Sequence, residues 1–179
     1  MSSVVLVSGP PGSGKTTIGR ALAESCAKGL HLVSDRFYEF IPRLIDPSTS
    51  ASRDQNHTIM TALGACTAQF ASGGYDVFVD GVIGPWMLPK LKPFLEESAA
   101  TQYVILQVSL AEAFARVRTR QGSGLSPTVR HMNAQFSDLG PFARFAVDTS
   151  KRPPQELART ISARLARNEF ELDWALIAD

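Results

Sequence analysis

The sequence predicts an α/β fold built on a parallel β-sheet, and three features of the chain lead to that prediction. Short apolar runs rich in β-branched residues alternate with longer segments of helical periodicity. A glycine-rich turn joins the first apolar run to the first helical segment. The 179 residues, of which 44% are hydrophobic, suit one domain with a sizeable core. Strands that alternate with helices favour a parallel sheet covered on both faces, with right-handed crossovers.

The apolar runs and the periodic segments give the order of elements. The runs predict five strands, at residues 3–8, 30–33, 75–80, 102–108 and 144–147. The periodic segments predict a short helix with a loop in residues 35–56 and further helices at residues 16–28, 57–71, 87–98, 110–120, 128–139 and 153–167. We expect one domain over residues 1–179, with a lid at about residues 120–130. The tail from residue 168 onward carries no clear pattern.

Charge and cysteine content argue against several classes of protein. The net charge is +1, so nothing attracts the whole chain to nucleic acid or anionic membrane, although residues 111–170 hold ten Lys and Arg against five Asp and Glu. Cys26 and Cys66 lie outside any paired motif, which fits a reducing compartment and disfavours a disulfide framework or a zinc site. No apolar run could span a bilayer, and the first residues indicate a core strand, not a signal peptide. We expect a cytoplasmic monomer or homodimer with no membrane partner.

The strongest motif is the glycine-rich turn after the first strand. It matches the full pattern G-x-x-x-x-G-K-[ST], which forms a phosphate-binding loop when a strand precedes it and a helix follows. Its glycines allow backbone angles that side chains forbid, so successive N–H groups can surround an anion beside the helix N-terminus. We expect these residues to bind the nucleotide: Gly9, Pro10, Pro11, Gly12, Ser13, Gly14, Lys15, Thr16 and Thr17.

Two side chains at the end of this loop carry its chemistry. Lys15 should act in catalysis by reaching the β- and γ-phosphates of ATP, and the Thr16 hydroxyl should ligate Mg²⁺. The loop alone does not distinguish a kinase from another nucleoside triphosphatase.

Carboxylates end two of the predicted strands. Asp80 follows the third strand, where phosphate-loop enzymes often hold Mg²⁺ with an acid; alternatively, it caps the turn with Gly81. Asp35 follows the second strand and is the candidate base that accepts a proton from the acceptor hydroxyl; alternatively, it is a helix N-cap. Both residues lie at the carboxyl edge of the predicted sheet, where the sites of open α/β sheets lie.

Two arginines flank the predicted lid. Arg116 and Arg120 are four residues apart on one helical face, whereas Arg118 points away. Arginines beside a flexible loop suit a lid that closes over a transferring phosphoryl group and excludes water. We therefore expect Arg116 and Arg120 to act in catalysis, and Arg120 also to contact the nucleotide. The alternative is a basic helix C-terminus that interacts with the helix dipole.

These motifs together resemble the adenylate-kinase-like group of phosphate-loop small-molecule kinases, which includes shikimate, gluconate and chloramphenicol kinases and the 5′-hydroxyl polynucleotide kinases. The resemblance covers about residues 3–166 and rests on the phosphate loop, Ser34-Asp35, Val79-Asp80-Gly81, the helix end from Arg116 to Arg120, and Asp148-Thr149-Ser150. It implies a P-loop NTPase fold with five parallel strands in the order 2-3-1-4-5 and ATP with Mg²⁺. It also implies an aspartate like Asp35 near the acceptor hydroxyl.

The chain departs from the shikimate kinases at two places. They carry Asp-x-Asp after strand two, and the first of those positions is Val33 here. They carry Gly-Gly-Gly after strand three, where this chain has Asp80-Gly-Val-Ile-Gly84. It is more similar to the chloramphenicol-phosphotransferase-like proteins, which show a single Asp after strand two and an Asp-containing strand three.

The acceptor side should be formed by residues 36–56. The side chains available there are Arg36, Phe37, Tyr38, Phe40, Arg43, Arg53, Gln55 and Asn56. Trp86 follows the third strand and could form another wall of the pocket. Any one aromatic could instead pack in the core. An apolar pocket with a few polar groups suits a drug-like or sugar-like alcohol. His31, His57 and His131 lack metal-ligand spacing and receive no role.

Three functions remain open from the sequence. The first is an ATP-dependent kinase that phosphorylates a hydroxyl of a small molecule. The second is a 5′-hydroxyl kinase of nucleic acid, which needs a basic groove that the near-neutral charge does not favour. The third is a non-catalytic ATP-binding regulator whose lid moves with nucleotide occupancy.

Overall fold

One parallel sheet forms the centre of the protein. In the computed structural model, which describes residues 2–97, 100–121 and 127–177, the strands are β1 (Ser3–Ser8), β2 (Gly29–Val33), β3 (Asp76–Asp80), β4 (Ala100–Gln107) and β5 (Ala146–Asp148). Their order across the sheet is β2-β3-β1-β4-β5, and each neighbouring pair is parallel. The predicted fold class and the strand order implied by the resemblance are confirmed.

Helices connect the strands and cover the sheet. They are α1 (Lys15–Glu24), α2 (Asp35–Glu39), α3 (Arg53–Ser72), α4 (Leu88–Leu95), α5 (Leu110–Gln121), α6 (Pro127–Gln135) and α7 (Pro154–Leu165), with short 3₁₀ segments at Ser50–Ser52, Pro85–Met87, Gly140–Phe145 and Trp174–Leu176. The interiors of β1, β3 and β4 are buried, which explains their continuous apolar runs. None of the helices in the described residues has the length and apolarity needed to cross a membrane.

The region before the fifth strand differs from the prediction. Helix α6 ends at Gln135 instead of residue 139, and β5 begins at Ala146 instead of residue 144, because a 3₁₀ segment lies between them. Phe145 in that segment is fully buried, and its ring lies 5.6 Å from that of Tyr103. The apolar pattern that predicted strand residues therefore reflects a core contact of this 3₁₀ segment.

The tail after α7 completes the sheet. Strand β5 pairs with residues 105–107 of β4, so the preceding part of that β4 edge can pair with another segment. There the Tyr103 N–H donates to the Phe170 carbonyl oxygen over 2.8 Å, and the Leu172 N–H donates to the Thr101 carbonyl oxygen over 2.9 Å. Phe170 is fully buried. The tail is therefore part of the hydrophobic core.

Truncating this buried tail residue should destabilise the protein. Phe170→Ala is expected to lower the free energy of unfolding by about 3 kcal/mol, because it removes a large side chain from a closed site. Leu176→Ala is the matched control in the same tail. Leu176 is 47% exposed, so its truncation should change stability by less than about 0.5 kcal/mol. Urea denaturation measures both values; equal, small effects would show that the tail does not belong to the core.

Candidate functional site

The phosphate loop follows a backbone path that depends on glycine. Residues 9–14 connect β1 to α1, and Gly9, Gly12 and Gly14 have φ angles of +139°, +82° and +96°. Gly12 also packs against α5, since a Cβ at this position would lie 2.7 Å from the Ala113 carbonyl oxygen. The loop thus has a conformation and a packing that side chains at these positions would strain.

The polar groups of the loop are arranged for an anion. Lys15 begins α1, and its Nζ donates to the Pro10 carbonyl oxygen over 3.1 Å; the Ser13 N–H donates to the same oxygen over 3.2 Å. The Ser13 hydroxyl oxygen is buried, and no hydrogen-bond partner for it lies among the described residues. A lysine, a helix N-terminus and an unsatisfied buried hydroxyl at one loop fit a polyphosphate chain.

A carboxylate lies beside the first turn of α1. Asp80 ends β3 opposite Val7 of β1 and is 2% exposed. The Thr16 hydroxyl faces Asp80 Oδ1 across 3.4 Å. Mg²⁺ is usually held by one or two hard oxygen ligands of the protein together with phosphate and water oxygens, and this pair offers such ligands.

A histidine that the sequence alone gives no role contacts the other oxygen of this carboxylate. His31 Nε2 lies 2.5 Å from Asp80 Oδ2, and the side chains are 13% and 3% exposed. An ionised carboxylate only accepts hydrogen bonds, so the imidazole tautomer that pairs with it here is the one with the proton on Nε2. The register of β2 with β3 sets Val33 opposite Asp80, which places His31 two residues earlier on the same face. Finding this contact requires the strand register, which the sequence alone does not supply.

The backbone brings Asp35 to the same edge of the sheet. The Ser34 N–H donates to the Asp80 carbonyl oxygen over 2.8 Å. This close approach requires glycine at residue 81, because a Cβ there would overlap Ser34 Oγ. Asp35 follows directly as the first residue of α2 and opens to a cavity that Lys15 and Asp80 also line.

The surroundings of Asp35 change its acidity. The side chain opens to the cavity, but protein atoms crowd its other sides, and this desolvation raises the pKa of the carboxyl group above its ordinary value. The Lys15 charge acts in the opposite direction, whereas the negative charges of Asp80 and Glu39 add to the increase in pKa. Asp35 is therefore a stronger base than an exposed aspartate, and it lies within the electrostatic reach of the phosphate-loop lysine.

Arg116 lies against the phosphate loop. Its guanidinium donates to the Gly12 carbonyl oxygen over 3.2 Å and to the Thr149 carbonyl oxygen over 3.0 Å, and it pairs with Glu112 at 2.5 Å. It thus braces the phosphate loop against the segment after β5, and a role over the γ-phosphate stays a prediction. The Arg120 side chain and residues 122–126, which make up much of the predicted lid, lie outside the described residues.

Two buried hydrogen bonds hold the loop after β3 in place. The Ile83 carbonyl oxygen accepts hydrogen bonds from Ser8 Oγ at 2.7 Å and from the Tyr103 phenol at 2.6 Å. Tyr103 is fully buried, and burial raises the pKa of its phenol, so the hydroxyl remains a donor. Two donors from β1 and β4 thus fix the segment that leads to Trp86.

Trp86 forms a fixed aromatic wall. Its ring lies against Gly84, where a Cβ would overlap the indole, and it meets the Phe136 ring at 62° with centroids 5.5 Å apart. The side chain is nevertheless 47% exposed. A held aromatic ring with an open surface can pack against the apolar part of a ligand.

One cavity of about 940 Å³ joins the phosphate loop to this wall. Residues 11–17 line its nucleotide side; the described lining does not include Gly9 and Pro10. On the other side, the lining includes Tyr38, Asp46, Asn56, Met60, Trp86 and Met132. Among the residues predicted for the acceptor side, Tyr38, Asn56 and Trp86 thus reach the cavity, whereas Arg36 pairs with Glu39 at 2.7 Å. The volume suits two small ligands bound end to end.

The chain matches a known protein family over most of its length. A model of the chloramphenicol phosphotransferase-like proteins matches residues 2–166. The chain belongs to this family. The family membership confirms the resemblance that the motifs indicated and places the chain among the P-loop small-molecule kinases, which are ATP-binding transferases.

Individual kinases resemble the chain over most of its length. A cytidylate kinase of Sulfurisphaera tokodaii is 21% identical over 173 residues, which cover 90% of this chain and 94% of that protein. A sugar kinase from Janibacter sp. HTCC2649 superposes with a TM-score of 0.72 at 18% identity, over 93% of this chain and 95% of the other. A gluconokinase from Sinorhizobium meliloti 1021 gives 0.67 at 24% identity, over 93% and 94%. These two structures share the fold of this family member.

Two glycines of the phosphate loop provide a matched test of its packing. Gly12→Ala and Gly14→Ala both place a side chain at positive φ, which costs about 1 kcal/mol or more. Among the described residues, nothing lies within 4 Å of a Cβ at Gly14, whereas a Cβ at Gly12 meets the backbone of α5. Urea denaturation should therefore show a clearly larger loss of stability for Gly12→Ala. Equal losses would mean that the loop does not pack against α5 as described.

Proposed function

We propose that this family member transfers the γ-phosphoryl group of ATP to a hydroxyl of a small molecule. The observation that supports the proposal best is the position of Asp35. Its carboxylate opens to a single cavity, with Lys15 and the phosphate loop on one side and an aromatic wall on the other. A base between a triphosphate site and a second ligand site is the arrangement that phosphoryl transfer requires.

The chemical step needs little covalent participation by the protein. The acceptor oxygen forms a bond to the γ-phosphorus while the bond from that phosphorus to the β,γ-bridging oxygen breaks, and ADP leaves. Asp35 accepts the proton of the acceptor hydroxyl. Lys15 and the loop amides bind the phosphates and compensate the negative charge that develops on them.

Thr16 and Asp80 are the residues that would hold Mg²⁺. Their oxygen atoms face each other at the phosphate loop. Mg²⁺ bound with the triphosphate neutralises part of the charge on the transferring group. Asp80 is buried in the sheet and cannot move far, so it would fix the position at which Mg²⁺ compensates this charge.

The charges around the cavity favour an acceptor that is not an anion. Among the described lining residues, the permanent cations are Lys15, Arg116 and Arg152. The first two bond to carbonyl groups of the phosphate loop, and Arg152 pairs with Glu156. The acceptor half instead presents the carboxylates of Asp35 and Asp46, which repel an anion. A neutral or cationic alcohol with an apolar face for Trp86 fits this half.

Salt bridges in the described structure do not favour the nucleic-acid kinase. Four arginines in the second half of the chain pair with acids; the pairs are Arg116–Glu112, Arg152–Glu156, Arg164–Glu169 and Arg167–Glu169. These four arginines, of the ten Lys and Arg in residues 111–170, are therefore directed at acids of the chain itself. A groove that tracks a phosphate backbone needs cations directed at the ligand.

A screen of acceptors tests the proposed reaction. The protein is incubated with Mg²⁺ and labelled ATP and with four classes of acceptor: neutral or amino alcohols with an aromatic face, chloramphenicol among them; sugar acids; cytidine monophosphate; and a 5′-hydroxyl oligonucleotide. Mass spectrometry should detect a phosphorylated product from the first class. Product from the oligonucleotide alone would support the nucleic-acid alternative, and tight ATP binding without product from any class would support the regulator.

Removal of the proposed base should separate catalysis from nucleotide binding. Asp35→Asn is expected to lower kcat by about 10²–10⁴-fold, because it removes the proton acceptor, while the Kd for ATP changes little. Asp54→Asn is the matched control, since Asp54 is exposed at the start of α3 and is not among the residues that line the cavity. Steady-state kinetics and calorimetry measure the two effects. An Asp35→Asn variant with full kcat would show that another group accepts the proton.

The acidity of Asp35 predicts how activity depends on pH. Only the ionised carboxylate accepts a proton, and partial desolvation raises its pKa, so kcat/KM should fall as pH decreases through a value above the ordinary aspartate pKa of about 3.9. Measuring kcat/KM from pH 4 upward, with the Kd for ATP measured at each pH as the control, tests this expectation. Activity that stays constant down to pH 4 would contradict it.

A further inference from the structure

We propose that His31 is a positioning residue of the Mg²⁺ site: its imidazole holds one oxygen of Asp80 so that the other oxygen faces Thr16. The inference rests on the proposed function, which assigns Asp80 and Thr16 to Mg²⁺. It assigns a role to a largely buried side chain that the proposed transfer step does not use.

The two oxygens of Asp80 have different partners. Oδ2 lies 2.5 Å from His31 Nε2, and Oδ1 lies 3.4 Å from the Thr16 hydroxyl. A carboxylate held on one side by a short, charge-assisted bond cannot rotate freely about its Cβ–Cγ bond. The short bond therefore leaves Oδ1 as the oxygen that faces the phosphate loop, whereas the longer contact is the one that a metal ion can replace.

Helix α1 leaves room for the imidazole at Gly19. A Cβ on Gly19 would lie 3.0 Å from His31 Nε2, 3.2 Å from His31 Cδ2 and 3.5 Å from Asp80 Cβ. Glycine is a poor helix former, and Gly19 is a buried interior position of α1. Because Gly19 has no side chain, the His31 ring of β2 fits between α1 and the Asp80 carboxylate.

The surroundings make the imidazole hard to replace by water. Asp80 is almost fully buried, and the His31 side chain is only 13% exposed. Without the imidazole, Oδ2 would remain in this closed space, and no other hydrogen bond among the described residues reaches it. The Asp80 carboxylate could then rotate about its Cβ–Cγ bond, and its orientation toward the metal ion would be lost. Hydrogen-bond partners of metal-binding carboxylates contribute about 10–100-fold to metal affinity.

Calorimetry with a non-hydrolysable ATP analogue measures this role without turnover. The analogue is titrated into the full chain with Mg²⁺ and again with EDTA, and the ratio of the two Kd values gives the enhancement by Mg²⁺. His31→Leu should reduce this enhancement by about tenfold or more, with little change in the Kd measured in EDTA. His31→Gln places an amide N–H within reach of Oδ2 and should retain most of the enhancement.

Two further variants separate positioning from folding. His57→Leu is the matched control, because His57 is exposed on α3 and should leave the enhancement unchanged. Gly19→Ala crowds the imidazole while His31 stays in place, and it should also reduce the enhancement. It therefore keeps the inference testable if His31→Leu does not fold. In an Asp80→Asn background, His31→Leu should have no additional effect, since it acts through that carboxylate.

Two results would overturn the inference in distinguishable ways. A folded His31→Leu variant that retains the full enhancement would show that the imidazole has only a structural role, and the proposed function would stand. Wild-type protein that binds the analogue equally with Mg²⁺ and with EDTA would contradict the assignment of Mg²⁺ to Thr16 and Asp80, and the role of His31 with it.

Discussion

Two backbone hydrogen bonds outside the strands join the segments that carry the site at one edge of the sheet. The Gly81 N–H donates to the Val7 carbonyl oxygen over 3.3 Å, and the Ser34 N–H donates to the Asp80 carbonyl oxygen over 2.8 Å. They continue the ladder of the sheet beyond the ends of β1, β2 and β3. The phosphate loop, Asp35 and the acceptor-side loop all leave the sheet at this edge. Their proximity therefore follows from parallel strand order, and the absence of a side chain at Gly81 makes the approach possible.

The same edge gives two carboxylates different surroundings. Burial of a carboxylate costs several kcal/mol unless donors compensate it, and Asp80 has donors in Thr16 and His31. Asp35 opens to the cavity and has a raised pKa, because protein atoms partly desolvate it. Environments that differ in this way suit different roles. A fixed, buried carboxylate suits a metal ligand, and an accessible, more basic one suits proton transfer.

The parts of the site that the sequence predicts are local, and the parts that it misses depend on register and packing. The phosphate loop follows from a contiguous motif, and the sheet follows from apolar runs of strands buried on both faces. The contact of His31 with Asp80 depends on how β2 pairs with β3. The tail packs along the part of the β4 edge that lies before its pairing with the short β5, and the alternation of Phe170, Leu172 and Trp174 with acidic residues is the signal that could have indicated this. Arg116 was predicted from its place beside the lid, but its partners Gly12 and Thr149 are distant in sequence.

The central claim is that one triphosphate site and one proton acceptor meet in the same cavity. A crystal structure of the protein with Mg²⁺ and a non-hydrolysable ATP analogue tests it most directly. We expect the γ-phosphate between Lys15 and Asp35, with Mg²⁺ beside Thr16. A triphosphate bound away from the loop of residues 9–14, or a γ-phosphate that the protein separates from Asp35, would contradict the claim.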